Sequence, residues 1–429
     1  MKKIFGSLIW ALVWAFTLSG VSAQEKGETG KENIKVLYTD QSGYAHEELQ
    51  RLRGFFQELT GIDVNLEYVK YENQSEKIGA SAATYDALSL DQIWLADFVS
   101  KGLLSPLDGY LTKKISQDIT PAVLQAFQYQ KQTWAFPFLV NFQVLFYNEK
   151  MLKDAGFESL PQSLEDLVAQ MKVLKQKKIV EYPWTDSWAQ AEGLICEYVW
   201  LTGAFGGDLF DEAGKPVFDQ QPGTMALEFM LKLLKEQFAQ PSILTKDEIA
   251  VKDDFIGGQA AFTSNWLFQS GLLDDPKMSE IVNQGKMGLL PASGGSTTKT
   301  SSVGGFQGIA ITEASKKKAA AWKWIKFFTS PLVQRAYRFE MPIWTSVQTS
   351  PDANLLDPML AIKREQLTNV HHRPNLPNYA NVSSILQKYL HLALEGNMEP
   401  TAALKQAKTE IETLSTENPV SKERDLGKK

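Results

Sequence analysis

The segment from Trp134 to Glu149, WAFPFLVNFQVLFYNE, constrains the fold more than any other part of the sequence. Its nearly continuous run of Val, Leu, Phe and Tyr is the composition of a strand that is buried on both faces. Asn141 and Gln143 interrupt the run, and side chains two positions apart on a strand point to the same face. Because an unpaired buried amide costs about 1–3 kcal/mol, this face meets either a hydrogen-bonded core network or a polar ligand.

Length and composition indicate a globular protein with room for two domains. The chain has 429 residues, of which 44% are hydrophobic and 22% are charged. Its formal net charge of -6 argues against a protein that binds nucleic-acid phosphates. The sequence also contains 11 Trp, 13 Tyr and 23 Phe, and aromatic rings serve both cores and the C–H faces of bound sugars.

The N-terminus has the pattern of a secretory signal peptide. Lys2 and Lys3 form its basic start, the apolar run from Ile4 to Leu18 follows, and Val21-Ser22-Ala23 is a small-residue cleavage site. The apolar run is short for a membrane span, and no cysteine follows the cleavage site to carry a lipid. Residues 1–23 are therefore predicted to be removed, which places the mature protein in the periplasm.

The first third of the chain alternates strands and helices, which is the pattern of an α/β fold. Strands are predicted at Ile34–Tyr38, Ile62–Val69 and Asp86–Leu90, with an amphipathic helix between the first two. The loops Asp40–Tyr44 and Asp91–Trp94 leave the carboxyl ends of the first and third strands. Ligands in α/β folds bind at such strand ends, so both loops are candidate ligand-binding segments.

No motif of an enzyme or a metal site is found. None of the four His has a metal-ligand spacing with Cys196, the single cysteine, or with another His. The acidic pairs Asp253-Asp254 and Asp274-Asp275 occur at helix starts or turns, where acidic residues are common. We expect no cofactor, no metal and no catalytic activity. A glycosidase needs only two carboxylates at a fixed separation, so a secreted carbohydrate-active enzyme is the alternative.

Several segments, each weak alone, occur in the order found in one known family. The chain resembles the extracellular solute-binding proteins of ABC transporters, family 1, which includes maltose- and trehalose-binding proteins. The segments that carry the resemblance are Phe55–Val64 (FFQELTGIDV), the block from Tyr85-Asp86 through Trp94 to Leu107, Pro137–Asn148 ending in YN, Gly258–Trp266 (GQAAFTSNW), Gly304–Gln334 with GGF and FFTS, and Pro342.

The resemblance implies a type II-like periplasmic binding protein fold, with two α/β lobes joined by several hinge crossings and a ligand cleft between them. It places residues 34–139 plus 303–341 in the N-terminal lobe and residues 140–302 plus 342–420 in the C-terminal lobe, with a disordered tail at 421–429. It also implies a monomer that delivers its solute to the permease subunits of an ABC importer.

The resemblance also nominates ligand-binding residues. Asp91 and Trp94 match the cleft-facing loop of the first lobe. Asn141 falls where the family often has an acidic residue that bonds sugar hydroxyls. The remaining candidates from the resemblance are Trp266, a frequent stacking aromatic; Gly305 and Phe306, at the returning crossover; and Trp344, an aromatic that suggests a stacking platform where relatives carry a polar or charged residue. Two further candidates come from the chain pattern: Gln41, in the first strand-end loop, and Trp188, in the aromatic loop 182–188, which can equally be a core residue.

This mixture of residue types favours a neutral carbohydrate, from a mono- to an oligosaccharide. A sugar offers hydroxyls that need Asp and Asn partners, and C–H faces that pack on aromatic rings. A glycerol phosphodiester would need Arg or Lys among these candidates, and a polyamine would need several acids. The candidates include no Arg or Lys and only Asp91 as an acid, so these two ligands remain the weaker alternatives.

The predicted targeting segment gives a direct expectation for the exported protein. N-terminal sequencing of protein purified from a periplasmic extract should begin at or near Gln24, because Val21-Ser22-Ala23 provides the cleavage site. Protein that keeps Met1, or that is found entirely in the membrane pellet, would contradict it.

Overall fold

The structure, a computed structural model, describes residues 32–40, 46–211, 213–336 and 340–417. These residues form two compact units. The first contains the described residues of 32–139, 307–336 and 342–356, and the second contains those of 140–306, 340–341 and 357–417. The chain therefore passes between the units more than once, and each unit is assembled from separate parts of the sequence.

The strands of the described residues are, in chain order, β1 (Asn33–Asp40), β2 (Asp63–Lys70), β3 (Ala87–Asp91), β4 (Gln128–Tyr129), β5 (Gln132–Thr133), β6 (Phe136–Leu139), β7 (Gln143–Asn148), β8 (Trp184–Thr185), β9 (Phe262–Trp266), β10 (Gly285–Gly288), β11 (Ser302–Val303), β12 (Gln307–Ile311) and β13 (Val370–His371).

The α-helices are α1 (His46–Thr60), α2 (Tyr71–Ser81), α3 (Leu95–Ser100), α4 (Lys113–Asp118), α5 (Pro121–Gln125), α6 (Glu149–Ala155), α7 (Leu164–Gln176), α8 (Glu192–Ala204), α9 (Gln221–Lys235), α10 (Glu248–Ile256), α11 (Lys318–Phe328), α12 (Pro331–Gln334), α13 (Thr345–Gln348), α14 (Ala353–Leu356), α15 (Leu360–Leu367), α16 (Tyr379–Leu394) and α17 (Pro400–Glu417). Short 3₁₀ turns at Gln92–Trp94 and Leu267–Gly271 follow β3 and β9.

The first unit is built on a five-stranded sheet in the order β2-β1-β3-β12-β6. β1 is parallel to β2 and β3, and β12 is antiparallel to β3 and β6. All five residues of β3 are buried, including the polar Ser89 and Asp91. Gly61, with φ of +74°, ends α1 in the left-handed conformation that glycine adopts without strain, so that β2 can begin beside β1.

The second unit is built on a four-stranded sheet in the order β10-β7-β9-β8, with β7 antiparallel to both of its neighbours. Every residue of α8 from Gly193 to Ala204 is buried. A helix that is apolar on all sides belongs at the centre of a core. Two of its residues, Glu197 and Cys196, are a carboxyl and a thiol in that core, and burial raises the pKa of the Cys196 thiol well above its usual value.

The predicted single strand at Trp134–Glu149 is in fact two strands in two sheets. β6 belongs to the sheet of the first unit and β7 to the sheet of the second. In the connection, Val140 forms an isolated bridge with Met341, and Phe142 forms one with Gly304. Both strands are buried, so the apolar run continues through the connection and the sequence does not mark the break.

The compact units differ from the predicted lobe boundaries at three places. Residues 340–341 belong to the second unit, where Met341 bridges to Val140. Residues 303–306 belong to the second unit, where β11 pairs with β13 and Gly304 bridges to Phe142. Residues 342–356 belong to the first unit, where Trp344 bridges to Ile119 and its indole N–H donates to the carbonyl of Thr329 at 2.7 Å. The predicted signal peptide and the predicted tail lie outside the described residues.

No helix among the described residues is long and apolar enough to cross a membrane. No group of three or more His, Cys, Asp or Glu side chains among them could hold a metal ion.

Candidate functional site

Three strands of the first unit end at the same edge of its sheet. Asp40, the last residue of β1, lies opposite Lys70, the last residue of β2, and β3 ends beside them at Asp91. The carboxyl ends of the strands in an α/β sheet are where such proteins hold ligands. Tyr71 follows β2 directly and Trp94 belongs to the turn after β3, so both rings belong to this edge.

Tyr71, Asp91 and Trp94 form what we call the first-unit cluster. Asp91 is 3% exposed, and its carboxylate accepts the Tyr71 hydroxyl at 2.8 Å and the backbone N–H of Ile93 at 3.2 Å. The Tyr71 and Trp94 rings are both partly exposed, with centroids 5.1 Å apart and planes at 34°. The cluster therefore combines a fixed carboxylate with a pair of neighbouring aromatic faces.

The sequence pattern pointed to Asp91 and Trp94 but not to Tyr71. The sequence contained a signal for Tyr71: this residue directly follows the carboxyl end of β2, just as the Asp91 loop lies at the carboxyl end of β3. The prediction of β2 as Ile62–Val69 ended that strand one residue early, and the residue beyond its carboxyl end was not considered.

Asn141, Trp266 and Gly305 come together in the second unit and are called the second-unit cluster. The backbone N–H of Leu267, the residue after Trp266, donates to Asn141 Oδ1 at 3.1 Å. The backbone N–H of Gly305 donates to the carbonyl of Asn141 at 2.9 Å. Asn141 thus fixes both of the segments that carry the other two members.

Gly305 packs directly against the Trp266 ring. A Cβ at position 305 would lie 2.7 Å from Cζ3 and 2.9 Å from Cη2 of the indole, which is closer than nonbonded carbon atoms approach. Only glycine lets the backbone reach the ring at this distance. Trp266 remains partly exposed, so part of the indole is accessible while the contact with Gly305 holds the ring.

The amide of Asn141 presents donors rather than acceptors. A backbone N–H can donate only to the amide oxygen, so the bond from Leu267 identifies which end of the side chain is Oδ1. Within the part of the chain that the structure describes, Nδ2 has no hydrogen-bond partner, and Asn141 is partly exposed. An acidic residue at this position would offer acceptors instead.

Behind the second-unit cluster lies a buried pair of carboxyl groups, Asp186 and Glu197. Gln143 Nε2 donates to Glu197 Oε1 at 2.5 Å, so Gln143 belongs to a core network and not to a ligand site. Ser264 Oγ lies 2.9 Å from Asp186 Oδ1 and 2.7 Å from Glu197 Oε2. One hydroxyl hydrogen serves only one of these carboxyls, so the other contact requires a carboxyl proton.

The pKa values of this pair support a shared proton. Burial raises the pKa of Asp186 to about 7. Burial, reinforced by the neighbouring charge of Asp186, raises the pKa of Glu197 well above its usual value. Both side chains are fully buried, and a charge there is unfavourable unless hydrogen bonds compensate it. The pair therefore holds at least one proton near neutral pH.

The structure places three predicted site residues in the cores of the units. Trp188 is 0% exposed within the second core, and Phe306 is fully buried in an edge-to-face contact with His372 at 5.2 Å. Trp344, 7% exposed, packs on Phe136 in the first unit. Ring faces enclosed by protein cannot stack on a ligand, so these residues do not join the clusters. Gln41 lies outside the described residues.

The chain matches the family of bacterial extracellular solute-binding proteins over residues 38–335. That match covers more than half of the chain, and the protein belongs to this family. A curated relative from Brucella abortus, described as a binding protein, is 22% identical over 413 residues, covering 92% of this chain and 96% of the relative.

Solved structures of similar proteins share the fold. A maltose-bound MalE3 of T. maritima superimposes with a TM-score of 0.79 at 25% identity, covering 89% of this chain and 99% of that one. An ABC transporter solute-binding protein of Agrobacterium radiobacter K84, in complex with ribitol, has a TM-score of 0.77 at 24% identity, covering 89% and 98%. These matches confirm the predicted family and the predicted α/β fold class.

The buried carboxyl pair gives the free energy of unfolding a defined pH dependence. Folded Asp186 keeps its proton up to about pH 7, whereas unfolded Asp loses it near 3.8, so the folded state binds more protons between these values. Its contribution to stability is therefore complete at low pH and decreases as pH rises, by up to about 1.4 kcal/mol per pH unit for one proton. Urea unfolding at pH 5, 6, 7 and 8 should show a steeper decrease for the wild type than for Asp186→Asn.

Comparing the wild type with Asp186→Asn separates the contribution of Asp186 to the pH dependence from the contributions of other titratable groups. Burial raises the pKa of Glu340 to about 8 and lowers that of His372 to about 4, but both residues are present in both proteins. Parallel pH profiles for the wild type and Asp186→Asn would contradict a raised pKa of Asp186.

Proposed function

We propose that the protein is the periplasmic substrate-binding component of an ABC importer, and that it captures a neutral carbohydrate and delivers it unchanged to a membrane permease. The carrying observation is the first-unit cluster, in which the Asp91 carboxylate lies beside the Tyr71 and Trp94 rings. Membership of the solute-binding family supports the capture of a solute. The residue types of the first-unit cluster support a neutral carbohydrate as that solute.

A neutral sugar must be recognised without charge attraction. Its hydroxyls donate to carboxylates and accept from amides, and its C–H faces pack on aromatic rings. Asn141 offers the amide donors, Tyr71, Trp94 and Trp266 offer ring surface, and the buried Asp91 carboxylate holds the Tyr71 hydroxyl in place. Each of the two clusters thus provides at least one polar and one aromatic group for the same kind of ligand.

The charge of the clusters disfavours the alternative solutes. A phosphodiester calls for Arg or Lys as a hydrogen-bonding cation, and neither cluster includes one. A polyamine calls for several carboxylates, and the clusters contain Asp91 alone. The relatives with known ligands support a carbohydrate or a related polyol, since one structure is described with maltose and another with ribitol.

The second candidate, a secreted carbohydrate-active enzyme, is less favoured. A glycosidase needs two carboxyl groups that face the substrate from opposite sides of the bond that is cleaved. Asp186 and Glu197 form a carboxyl pair near the second-unit cluster, but both are fully buried and bonded to core groups. We propose a non-catalytic protein that acts as a monomer, needs no cofactor and binds no nucleic acid.

Ligand binding can be tested by calorimetry. Maltose, ribitol, D-tagatose and D-mannitol represent neutral sugars and polyols, with glycerol 3-phosphate and spermidine as the charged alternatives. Heat should appear with a neutral compound, and Trp94→Ala or Trp266→Ala should weaken that binding by about 1–3 kcal/mol, the range for burial of a large side chain. Asn141→Ala should weaken it as well, because two amide donors are lost.

The matched control is Trp188→Phe, which shortens a tryptophan in the core of the second unit. This variant should unfold at lower temperature than the wild type but bind the same compound with unchanged affinity. Heat with glycerol 3-phosphate or spermidine alone would overturn the carbohydrate assignment, and breakdown of the bound sugar, detected by chromatography, would favour the enzyme.

A further inference from the structure

Three buried polar side chains lie close to the first-unit cluster, and we call them the strand-end network. They are Thr39 on β1, Gln74 on α2 and Ser89 on β3. Thr39 is the last residue but one of β1, and Ser89 comes two residues before Asp91 on β3. The strand-end network therefore connects two strand ends of the candidate site with the helix that begins at Tyr71.

Hydrogen bonds join all three members of the strand-end network. Gln74 Nε2 donates to the backbone carbonyl of Ser89 at 2.6 Å and to Ser89 Oγ at 3.1 Å. The Thr39 hydroxyl donates to Gln74 Oε1 at 2.9 Å, and the backbone N–H of Thr39 donates to Ser89 Oγ at 2.9 Å. The two hydroxyl oxygens lie 2.8 Å apart. One side chain, that of Gln74, thus bonds α2 to both strands.

The direction of each of these bonds follows from the groups involved. A backbone carbonyl only accepts, so the end of the Gln74 side chain that meets the Ser89 carbonyl is the NH₂ group. The other end, Oε1, takes the hydrogen of the Thr39 hydroxyl. Because that hydrogen is used, the Ser89 hydroxyl donates to Thr39 Oγ1. A change at one member therefore leaves a buried polar group of another member without its bond.

The first turn of α2 meets β3 at two points. Tyr71 and Gln74 are three residues apart, so they lie on the same face of the helix. Asp91 and Ser89 are two residues apart, so they lie on the same face of the strand. The Tyr71 hydroxyl donates to the Asp91 carboxylate at 2.8 Å, and Gln74 bonds Ser89 one turn further into the helix. Two side-chain pairs therefore align α2 with β3.

The inner of these two pairs stabilises the start of α2. The side chain of Lys70, the residue before the helix, makes no capping hydrogen bond in the part of the chain that the structure describes. An uncapped helix start opens easily, because its first backbone N–H groups have no partner within the helix. The Tyr71 ring is partly exposed to competing water, whereas Gln74 is buried. Gln74 is therefore the more secure of the two attachments.

We propose that Gln74 is a positioning residue of the first-unit cluster: it holds the first turn of α2 against β1 and β3, so that the Tyr71 ring lies beside the Trp94 ring before a ligand binds. The inference rests on the proposed function. A pair of rings that is already in place loses little conformational freedom on binding, which favours affinity for a sugar whose C–H face packs on both. Gln74 acts on the ligand only through Tyr71.

The first test needs no ligand and uses the full chain labelled with a fluorinated tryptophan. The ¹⁹F signal of Trp94 is the one that Trp94→Phe removes. Tyr71→Leu takes away the neighbouring ring, whose centroid lies 5.1 Å from that of Trp94, and the resulting shift is the reference. Gln74→Leu introduces an apolar side chain of similar size. It should move the Trp94 signal by most of the reference shift, because the first turn of α2 is no longer held.

A milder variant and a matched control complete this test. Thr39→Val keeps the shape of the side chain but removes the donor of Gln74 Oε1, so it should move the Trp94 signal in the same direction by a smaller amount. It decides the inference if Gln74→Leu fails to fold. The control is Gln334→Leu, because Gln334 is also a buried glutamine of the first unit and bonds other backbone groups. It should unfold at lower temperature than the wild type and leave the Trp94 signal unchanged.

The second test is a double-mutant cycle on maltose affinity measured by calorimetry. Gln74→Leu should weaken binding by about tenfold in the wild type, the equivalent of one hydrogen bond. In the Tyr71→Leu background the same change should weaken binding by less than about threefold, because Gln74 acts through Tyr71. Gln334→Leu should leave the affinity unchanged.

Each outcome decides the inference. An unchanged Trp94 signal in both Gln74→Leu and Thr39→Val, or an equal shift in Gln334→Leu, would overturn it, because the strand-end network would not be what places the Tyr71 ring. An unchanged maltose affinity in Gln74→Leu, or an equal loss in both backgrounds, would also overturn it. If maltose fails to bind the wild type, the proposed function fails for this sugar, and the Trp94 signal alone decides the role of Gln74.

Discussion

The second unit is organised around one buried carboxyl group, that of Glu197, whose oxygens need hydrogen-bond donors. Glu197 accepts from Gln143 on β7, from Ser264 on β9 and from Trp200 on its own helix. Leaving one of these bonds unmade inside a core would cost about 1–3 kcal/mol or more. The helix and both strands are therefore held in one relative position by a single side chain.

That arrangement reaches the candidate site through the two strands. Gln143 lies opposite Trp266 in the β7–β9 register, and Asn141 is two residues before Gln143. A shift of either strand would break the bonds of Glu197 as well as the contact between Gly305 and the indole. The polar core therefore contributes positional accuracy, a role in which a buried network can be worth more than its net stabilisation.

The sequence predicts the parts of this protein that depend on local patterns. The strand and helix alternation, the end of α1 at Gly61, and the strand-end position of Asp91 and Trp94 all follow from residues close together in the chain. The family likeness rests on segments in a fixed order, and the match over residues 38–335 bears it out. The donor role of Asn141 could not be predicted, because it depends on Leu267, 126 positions away.

The sequence could not predict which of the aromatic residues are buried. Trp188, Phe306 and Trp344 resemble Trp94 and Trp266 in residue type and in their polar surroundings along the chain, yet only the latter two keep accessible ring surface. What encloses a ring is contributed by distant segments, such as His372 for Phe306 and Phe136 for Trp344. The break between β6 and β7 was missed for a related reason, since both strands are equally apolar.

The buried thiol of Cys196 has a practical consequence. It is the single cysteine of the sequence, and a fully enclosed thiol reacts slowly with alkylating reagents because the reactive thiolate is disfavoured there. A cysteine introduced at an exposed position would therefore be labelled selectively without first removing the native one. Leu355, 84% exposed in the first unit, and Ile249, 51% exposed in the second, are suitable positions for a pair of dyes. The native chain is thus already prepared for single-molecule distance measurements.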